Sequence, residues 1–433
     1  MQAINLLRYT YIGLIIINLI VFLFRTKKMN FLFIYFLSSI IYYIFAISGK
    51  LYILDVNGSI WGYDIDIKTN IVLIINMVLI FIATLIPEKN IVIKKKSKKK
   101  HINLDLEKCS MSIFFIMCFI LTIYTVITTN MFSSSGNFNK EKLMENTGTI
   151  VEYFKSIIMF SIVYIFIEKD IQYKLSTKIL LMGSLFVTFL LGHRSYIVIA
   201  IIAIGFNYYN EKIAKNNKSL FRAIIKNYKI VLIAMLVIFV TFMIKGVTAA
   251  LFDHNFDLVK TRLTNLDYYI NTFKISEPNT TTMNLDTILR NNYMLDKSSY
   301  TILITLFIPF ISRIVKFESF TYMYQETLFG TSNRASTFLG EAYANGGFLL
   351  VGVIITLLLL LLKFIDIKFK NSNNNILKTF MLISGVDLSF YIHRNSMDYA
   401  FVRIRSYIYI VILIYIIKLI ISNLNILKGH KSK

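Results

Sequence analysis

Acidic residues are scarce. Only 24 Asp and Glu stand against 47 Lys and Arg in 433 residues, a formal net charge of +23, and charged residues of both signs make up only 16% of the chain. A soluble domain carries roughly a quarter. Cysteine is scarcer still: Cys109 and Cys118 alone cannot build a disulfide scaffold, and Cys118 sits inside an apolar run, so no structural disulfide is expected. Pro87, Pro278 and Pro309 are the three prolines. Glycine-rich phosphate loops and Ser-His-Asp arrangements are not visible. The five histidines, His101, His193, His254, His393 and His430, are scattered. No acidic pair has the spacing of a divalent-cation clamp on a diphosphate. Asp64-Ile65-Asp66 is one isolated Asp-x-Asp and reads as solvated outer loop. No metal and no cofactor are expected.

Apolar residues fill the space that charge vacates. They are 56% of the chain, with a mean hydropathy of +0.62. Such a chain is not disordered. It is not an ordinary soluble nucleic-acid binder either, because long uncharged runs separate its basic residues. The class that remains is all-α, a polytopic integral membrane protein forming a single membrane domain over 1–433. A helix needs about 20 apolar residues to cross about 30 Å of hydrocarbon. Eleven stretches are candidates: 9–24, 30–48, 70–87, 110–129, 153–167, 176–191, 195–209, 230–244, 348–362, 379–392 and 404–421. Several are short, and flanking Tyr and Lys extend them as interfacial anchors. The first resembles a signal peptide, but Arg25, Lys27 and Lys28 follow it instead of a small-residue cleavage site, so it reads as a retained helix.

Orientation follows from the basic residues in the connections. The connections 25–29, 88–109, 168–175, 210–229, 363–378 and 418–433 hold 27 of them. The alternate set, 1–8, 49–69, 130–155, 192–194, 245–347 and 392–405, holds 19 over about twice the length. The first set is therefore assigned to the cytoplasm. The run Lys94–Lys100 then reads as an anchor beside anionic lipid rather than a nuclear signal or a nucleic-acid patch.

Arginine is distributed against this trend. Only Arg25 and Arg222 of eleven fall on the inner side. Charge alone suffices for topology, whereas the planar guanidinium binds phosphate or carboxylate through two parallel hydrogen bonds. An Arg-enriched outer face points to an anionic ligand; salt bridges within the outer loops are the plainer alternative. Three outer segments stand out. Gly192-His193-Arg194 is so short that Arg194 sits at the membrane boundary, where it must snorkel or pair. The large extracytoplasmic loop 245–347 carries an apolar stretch, Tyr300–Ile314, with Arg313 and Lys316 behind it; interfacial helices are expected there. The third segment, from His393 and Arg394 to Arg403 and Arg405, also holds Asp398.

These segments resemble a known family. Thr331-Ser332-Asn333-Arg334-Ala335-Ser336-Thr337-Phe338-Leu339-Gly340-Glu341, running on to Gly346-Gly347 and a long apolar helix, looks like the end of the periplasmic loop in Wzy-type oligosaccharide repeat-unit polymerases. Pro309 to Arg313 with Lys316 looks like their proline-arginine segment, and Gly192-His193-Arg194-Ser195 like their arginine-bearing outer turn. The resemblance implies a GT-C-like membrane glycosyltransferase of the bacterial cytoplasmic membrane, metal-independent, acting in O-antigen, capsule or exopolysaccharide synthesis. Its substrate would be a polyprenyl-pyrophosphate-linked oligosaccharide, with membrane lipid, a chain-length regulator and a flippase as partners and no nucleic acid. The growing glycan would pass to the sugar hydroxyl of the next lipid-linked unit.

Such a transfer needs positive charge at the departing pyrophosphate and a base for the hydroxyl proton. Arg194, Arg313 and Arg334 are the first candidates for the charge, with Lys316, Arg394, Arg403, His193 and His393 as further binding residues. Glu341 leads for the base, with His193, His393 and Asp398 as alternatives; seven residues separate it from Arg334, about two helical turns. A plainer role for Glu341 is a cap or an ion pair. Three rival classes remain. An O-antigen ligase shares the donor and differs in acceptor. A flippase or transporter would show internal repeats or broken mid-span helices, which are not visible. A scaffold would tolerate loss of Arg194, Arg334 or Glu341.

Overall fold

Apolar runs without an internal proline become long helices. In the computed structural model the described residues are 2–26, 28–54, 59–87, 104–128, 140–169, 171–190, 194–213, 220–229, 232, 255–300, 319–329 and 336–430. The span expected at 230–244, nearly all of Tyr300–Ile314 and the run Lys94–Lys100 lie outside them. The first half holds α1 (Gln2–Arg25), α2 (Phe31–Tyr42), α3 (Ile44–Ser48), a hairpin of β1 (Lys50–Leu54) and β2 (Ile60–Asp64), α4 (Ile67–Leu85), α5 (Leu104–Thr128), α6 (Lys140–Ile167), α7 (Leu175–Leu190), α8 (Arg194–Tyr208) and α9 (Leu220–Lys226). Then come α10 (Phe256–Thr264), α11 (Leu266–Lys274), α12 (Glu277–Arg290), α13 (Phe320–Phe329), α14 (Phe338–Asn371), α15 (Asn375–Val386) and α16 (Met397–His430).

Six helical segments among the described residues are long and apolar enough to cross a bilayer: 2–25, 67–85, 105–128, 338–371, 375–394 and 397–424. Three shorter ones, 31–42, 153–167 and 175–188, are also apolar. The stretch 30–48, expected as one span, is two helices broken at Tyr43. The helix expected at 404–421 begins earlier, at Met397, so Arg403 and Arg405 lie on a helix and not in a connection.

Apolar side chains cover the outside as well as the interior. Large apolar side chains face outward at helical spacing: Ile116, Ile120, Ile123 and Ile127 on α5, and Ile408, Ile412 and Ile416 on α16. Between helices the structure places amides and hydroxyls. Asn76 on α4 is fully buried, accepts from the Tyr35 hydroxyl at 2.9 Å and donates to Ser39 Oγ at 2.9 Å. Asn18 on α1 donates to the Met77 carbonyl at 3.1 Å. In lipid, close packing and interhelical hydrogen bonds hold helices together, each bond worth about 0.6 kcal/mol on average. Close packing fixes one glycine: a Cβ on Gly385 would lie 2.5 Å from the Phe31 ring, so α15 can approach α2 only without a side chain there.

The two sets of connections separate to opposite ends. At the lysine-rich end Arg25 donates to the Leu85 carbonyl at 3.1 Å and Asn210 to that of Met29 at 3.1 Å. Lys169 and Lys378 share Glu211, Asn375 bonds Glu168, and Lys418 lies 3.9 Å from Glu107. All six connections of the first set contribute to these contacts. At the other end α12 docks on the hairpin and on α4. Asn279 bridges both backbone groups of Tyr52, and Asp286 accepts from the Asp66 amide at 2.7 Å and from Thr69 Oγ1 at 2.9 Å. The Asp66 amide and the Asp64 carbonyl thus take part in this docking, while the Asp64 side chain is exposed as expected. Arg290 holds Asp286 and the Asp64 carbonyl. Burial works against its charge, but Asp286 outweighs that and raises its proton affinity.

Candidate functional site

The arginine-bearing end is organised by one turn. After α15 the chain makes a wide π-helical turn, Asp387–Tyr391, then a tight one, Ile392–Arg394, and enters α16 at Met397. Such widened turns interrupt the regular backbone ladder and recur at functional sites. Asn395 leaves in extended conformation, its side-chain amide donating to the Tyr391 carbonyl at 2.8 Å.

Arg403 on α16 reaches back to this turn. Its Nε lies 2.9 Å from Asp387 Oδ2, which also accepts from the Tyr407 hydroxyl at 2.6 Å. Both partners are about 95% buried. The guanidinium lies between two rings, 4.4 Å from the centroid of Tyr196 and 4.7 Å from that of Tyr391. Tyr391 also meets Arg394 at 5.5 Å, and Tyr196 meets Lys155 at 5.6 Å.

Arg394 pairs with Glu277 at the start of α12 at 2.5 Å. Glu277 also acts on the partly buried Arg194: burial lowers the proton affinity of that guanidinium, and the carboxylate works the other way. Tyr42 lies in electrostatic reach of Glu277, Arg394, Tyr391 and Arg403. Arg194, Arg394 and Arg403 therefore share one neighbourhood, with Glu277 and Asp387 as its carboxylates and Lys155 at its edge.

On the other flank of the turn, Glu341 is fully buried near the start of α14. Its Oε2 accepts from the Met397 amide at 2.6 Å and its Oε1 from Ser299 Oγ at 3.1 Å. It thereby caps the first turn of α16, where the helix dipole favours an anion. Asn345 holds the same strap, accepting from the Ser299 amide at 2.9 Å and donating to the Glu341 carbonyl at 2.8 Å. Asp398 lies close enough to repel Glu341, and its buried Oδ1 has no hydrogen-bond partner among the described residues. His393 is fully buried in a box of Tyr35, Tyr42, Tyr43 and Phe338. Its Nε2 meets the Tyr35 carbonyl at 3.2 Å, while its Nδ1 has no such partner among the described residues.

Of the residues singled out from sequence, Glu341, Arg194, Arg394, Arg403 and His393 thus fall around one turn. His193, Arg313, Lys316 and Arg334 lie outside the described residues. The helical spacing between Arg334 and Glu341 does not hold, because Thr337 is extended and α14 starts at Phe338. Glu277 and Asp387 had not been anticipated. Asp387 carried a readable signal, a lone carboxylate within an apolar stretch. Glu277 carried none, since its helix is polar overall. Among the described residues no three of the His, Cys, Asp and Glu side chains gather as a metal ion would need.

The fold, its long apolar helices and its apolar outer surface define a multi-pass, mostly helical membrane protein. Compared with known proteins, the chain matches no family model, no curated protein and no solved structure.

Proposed function

We propose that this protein is a membrane glycosyltransferase that polymerises polyprenyl-pyrophosphate-linked oligosaccharides at the extracytoplasmic face of a bacterial inner membrane. One observation carries the proposal. Arg194 from one segment of the arginine-bearing end and Arg394 and Arg403 from another converge around Glu277, Tyr42 and Tyr391. The positive-inside rule assigns that end to the outside. The eleven-span, GT-C-like plan and the Wzy-type resemblance belong to the same proposal.

The parts divide by chemistry. Arg403 is already neutralised by Asp387, so it shapes the site through Tyr391 and Tyr196. Arg394 pairs with Glu277, whose carboxylate also acts on Arg194, so two guanidiniums stand together where a diphosphate would bind. As the C1–O bond to that diphosphate breaks, the guanidiniums stabilise the charge gathering on the leaving oxygen. The acceptor hydroxyl oxygen forms the new bond to C1 and passes its proton to the Glu341–Asp398 pair. Both oxygens of Glu341 are engaged, so Asp398, with its open Oδ1, is the member that takes the proton and Glu341 positions the turn.

A deletion strain complemented with wild type, Arg394→Gln or Asp398→Asn tests this through gel profiles of surface polysaccharide. Single repeat units in place of long chains are expected for the deletion and both variants. Unchanged chain length rejects the proposal. Accumulation of full-length lipid-linked chains points instead to a ligase, and loss of outward-facing precursor to a flippase.

A further inference from the structure

The lysine-rich end holds a cavity of about 360 Å³, at the lower end of the range of ligand pockets. It opens where α1 ends, α2 begins and α4 ends, against the second half of α14. Four cations line it: Arg25, Lys28, Lys363 and Lys370. Among the described residues no carboxylate does. Lys363 and Lys370 are seven residues apart on one helix, two turns, and so project from the same face.

Two of these cations have a plain structural task. Arg25 donates to the Leu85 carbonyl and Lys363 to that of Ile86, both at 3.1 Å, which caps the C-terminal end of α4. That task fixes their positions without neutralising their charge. It does not account for Lys28 or Lys370. Lys370 pairs with Asp366, which offsets one charge of the four. Asn30, the N-cap of α2, also lines the cavity, so the positive end of that helix dipole faces the same space. The remaining wall is apolar, with Leu32, Ala83, Ile86 and Pro87. Cations beside an apolar wall, where three helices end, match a phosphate whose other end continues into hydrocarbon. Basic pockets between membrane helices on the cytoplasmic side bind anionic headgroups for this reason.

We infer that this cavity binds the phosphate of an anionic phospholipid headgroup, at the end of the bundle opposite the arginine site. The inference is independent of the glycosyltransferase proposal.

The test uses the purified full-length protein in a neutral detergent. Its thermal unfolding is followed while dioleoyl phosphatidylglycerol, dioleoyl phosphatidylcholine or inorganic phosphate is titrated in. Phosphatidylglycerol should stabilise at concentrations where phosphatidylcholine does not. Lys28→Gln should weaken the apparent affinity about tenfold, the effect of losing one hydrogen bond to a charged group. Lys28→Gln with Lys363→Gln should weaken it further. Lys368→Gln, which removes a neighbouring cation that does not line the cavity, should bind as wild type. Equal stabilisation by the two lipids overturns the inference, as does wild-type affinity in Lys28→Gln. If inorganic phosphate stabilises as strongly and with the same sensitivity to Lys28, the cavity is an anion site supplied from solution and the lipid assignment fails. Among the described residues Lys28 makes no hydrogen bond to another element, so Lys28→Gln should fold as wild type.

Discussion

Replacing Asp387 by Leu strands a guanidinium inside the bundle. Arg403 and Asp387 are 3% and 5% exposed and meet at 2.9 Å. At an effective dielectric constant of about 20, their attraction is about 6 kcal/mol. Loss of the Tyr407 hydrogen bond adds about 1 kcal/mol. The rings of Tyr196 and Tyr391 still face the cation and return about 1–2 kcal/mol. Breaking a buried pair by removing one partner generally costs about 3–5 kcal/mol, and that is the expected destabilisation. Removing both partners behaves differently. Asp387→Leu with Arg403→Met leaves no buried charge and should unfold within about 1 kcal/mol of wild type. The assay is equilibrium unfolding in mixed micelles of rising denaturing-detergent fraction, read by helical circular dichroism. Two results would refute the reasoning: a single variant as stable as wild type, or a double variant at least as unstable as the two singles added together. The first would mean that water reaches the pair. The second would mean that the side chains matter for shape and not for charge. The double variant should still make less polymer, because Tyr391 loses the cation that orders it.

Four further outcomes follow. Gly347 has φ +65° and ψ −159°, a region essentially closed to other residues; Gly347→Ala should cost about 1–3 kcal/mol in the same unfolding assay. Gly385→Ala should also cost about 1–3 kcal/mol by overpacking the Phe31 ring, and Phe31→Leu should recover part of it in the double variant. Asp398→Asn should lower the glycan transfer rate by about 10²–10⁴-fold with unchanged protein level, measured with purified lipid-linked substrate. Arg194→Gln should raise the substrate concentration needed for half-maximal transfer more at low salt than at high, since a partly exposed cation is screened.

Much of the membrane plan was legible because lipid imposes a simple rule on composition. The cores of α1, α4, α5, α15 and α16 follow from their apolar runs, and alternation of the spans grouped the connections into the two ends at which the structure gathers them. The failures share a cause. Tyr43 breaks the stretch 30–48 although its neighbours are apolar; its hydroxyl meets Thr337 Oγ1 at 3.1 Å, 294 residues away, and no local pattern carries that contact. Helix α12 is buried through Asn279, Thr282 and Asp286, which hydropathy marks as solvent-facing. Its Glu277, the partner of Arg394, was invisible for the same reason. Asp387 was visible as a lone acid in an apolar stretch, but its pairing with Arg403 needed the turn that brings α16 back over α15.

The break at Gly346–Gly347 has a consequence for how the protein meets bilayers of different thickness. Residues 348–371 form a rod of about 36 Å, but its apolar part, 348–362, spans only about 22 Å of the roughly 30 Å of hydrocarbon before Lys363, Lys368 and Lys370 begin. A short apolar stretch is accommodated by flanking lysines that reach to the interface and by local thinning of the bilayer. The short stub above the glycines is tied instead to the first turn of α16 through Glu341. The rod can therefore adjust as the surrounding lipid thins or thickens while the stub keeps its place.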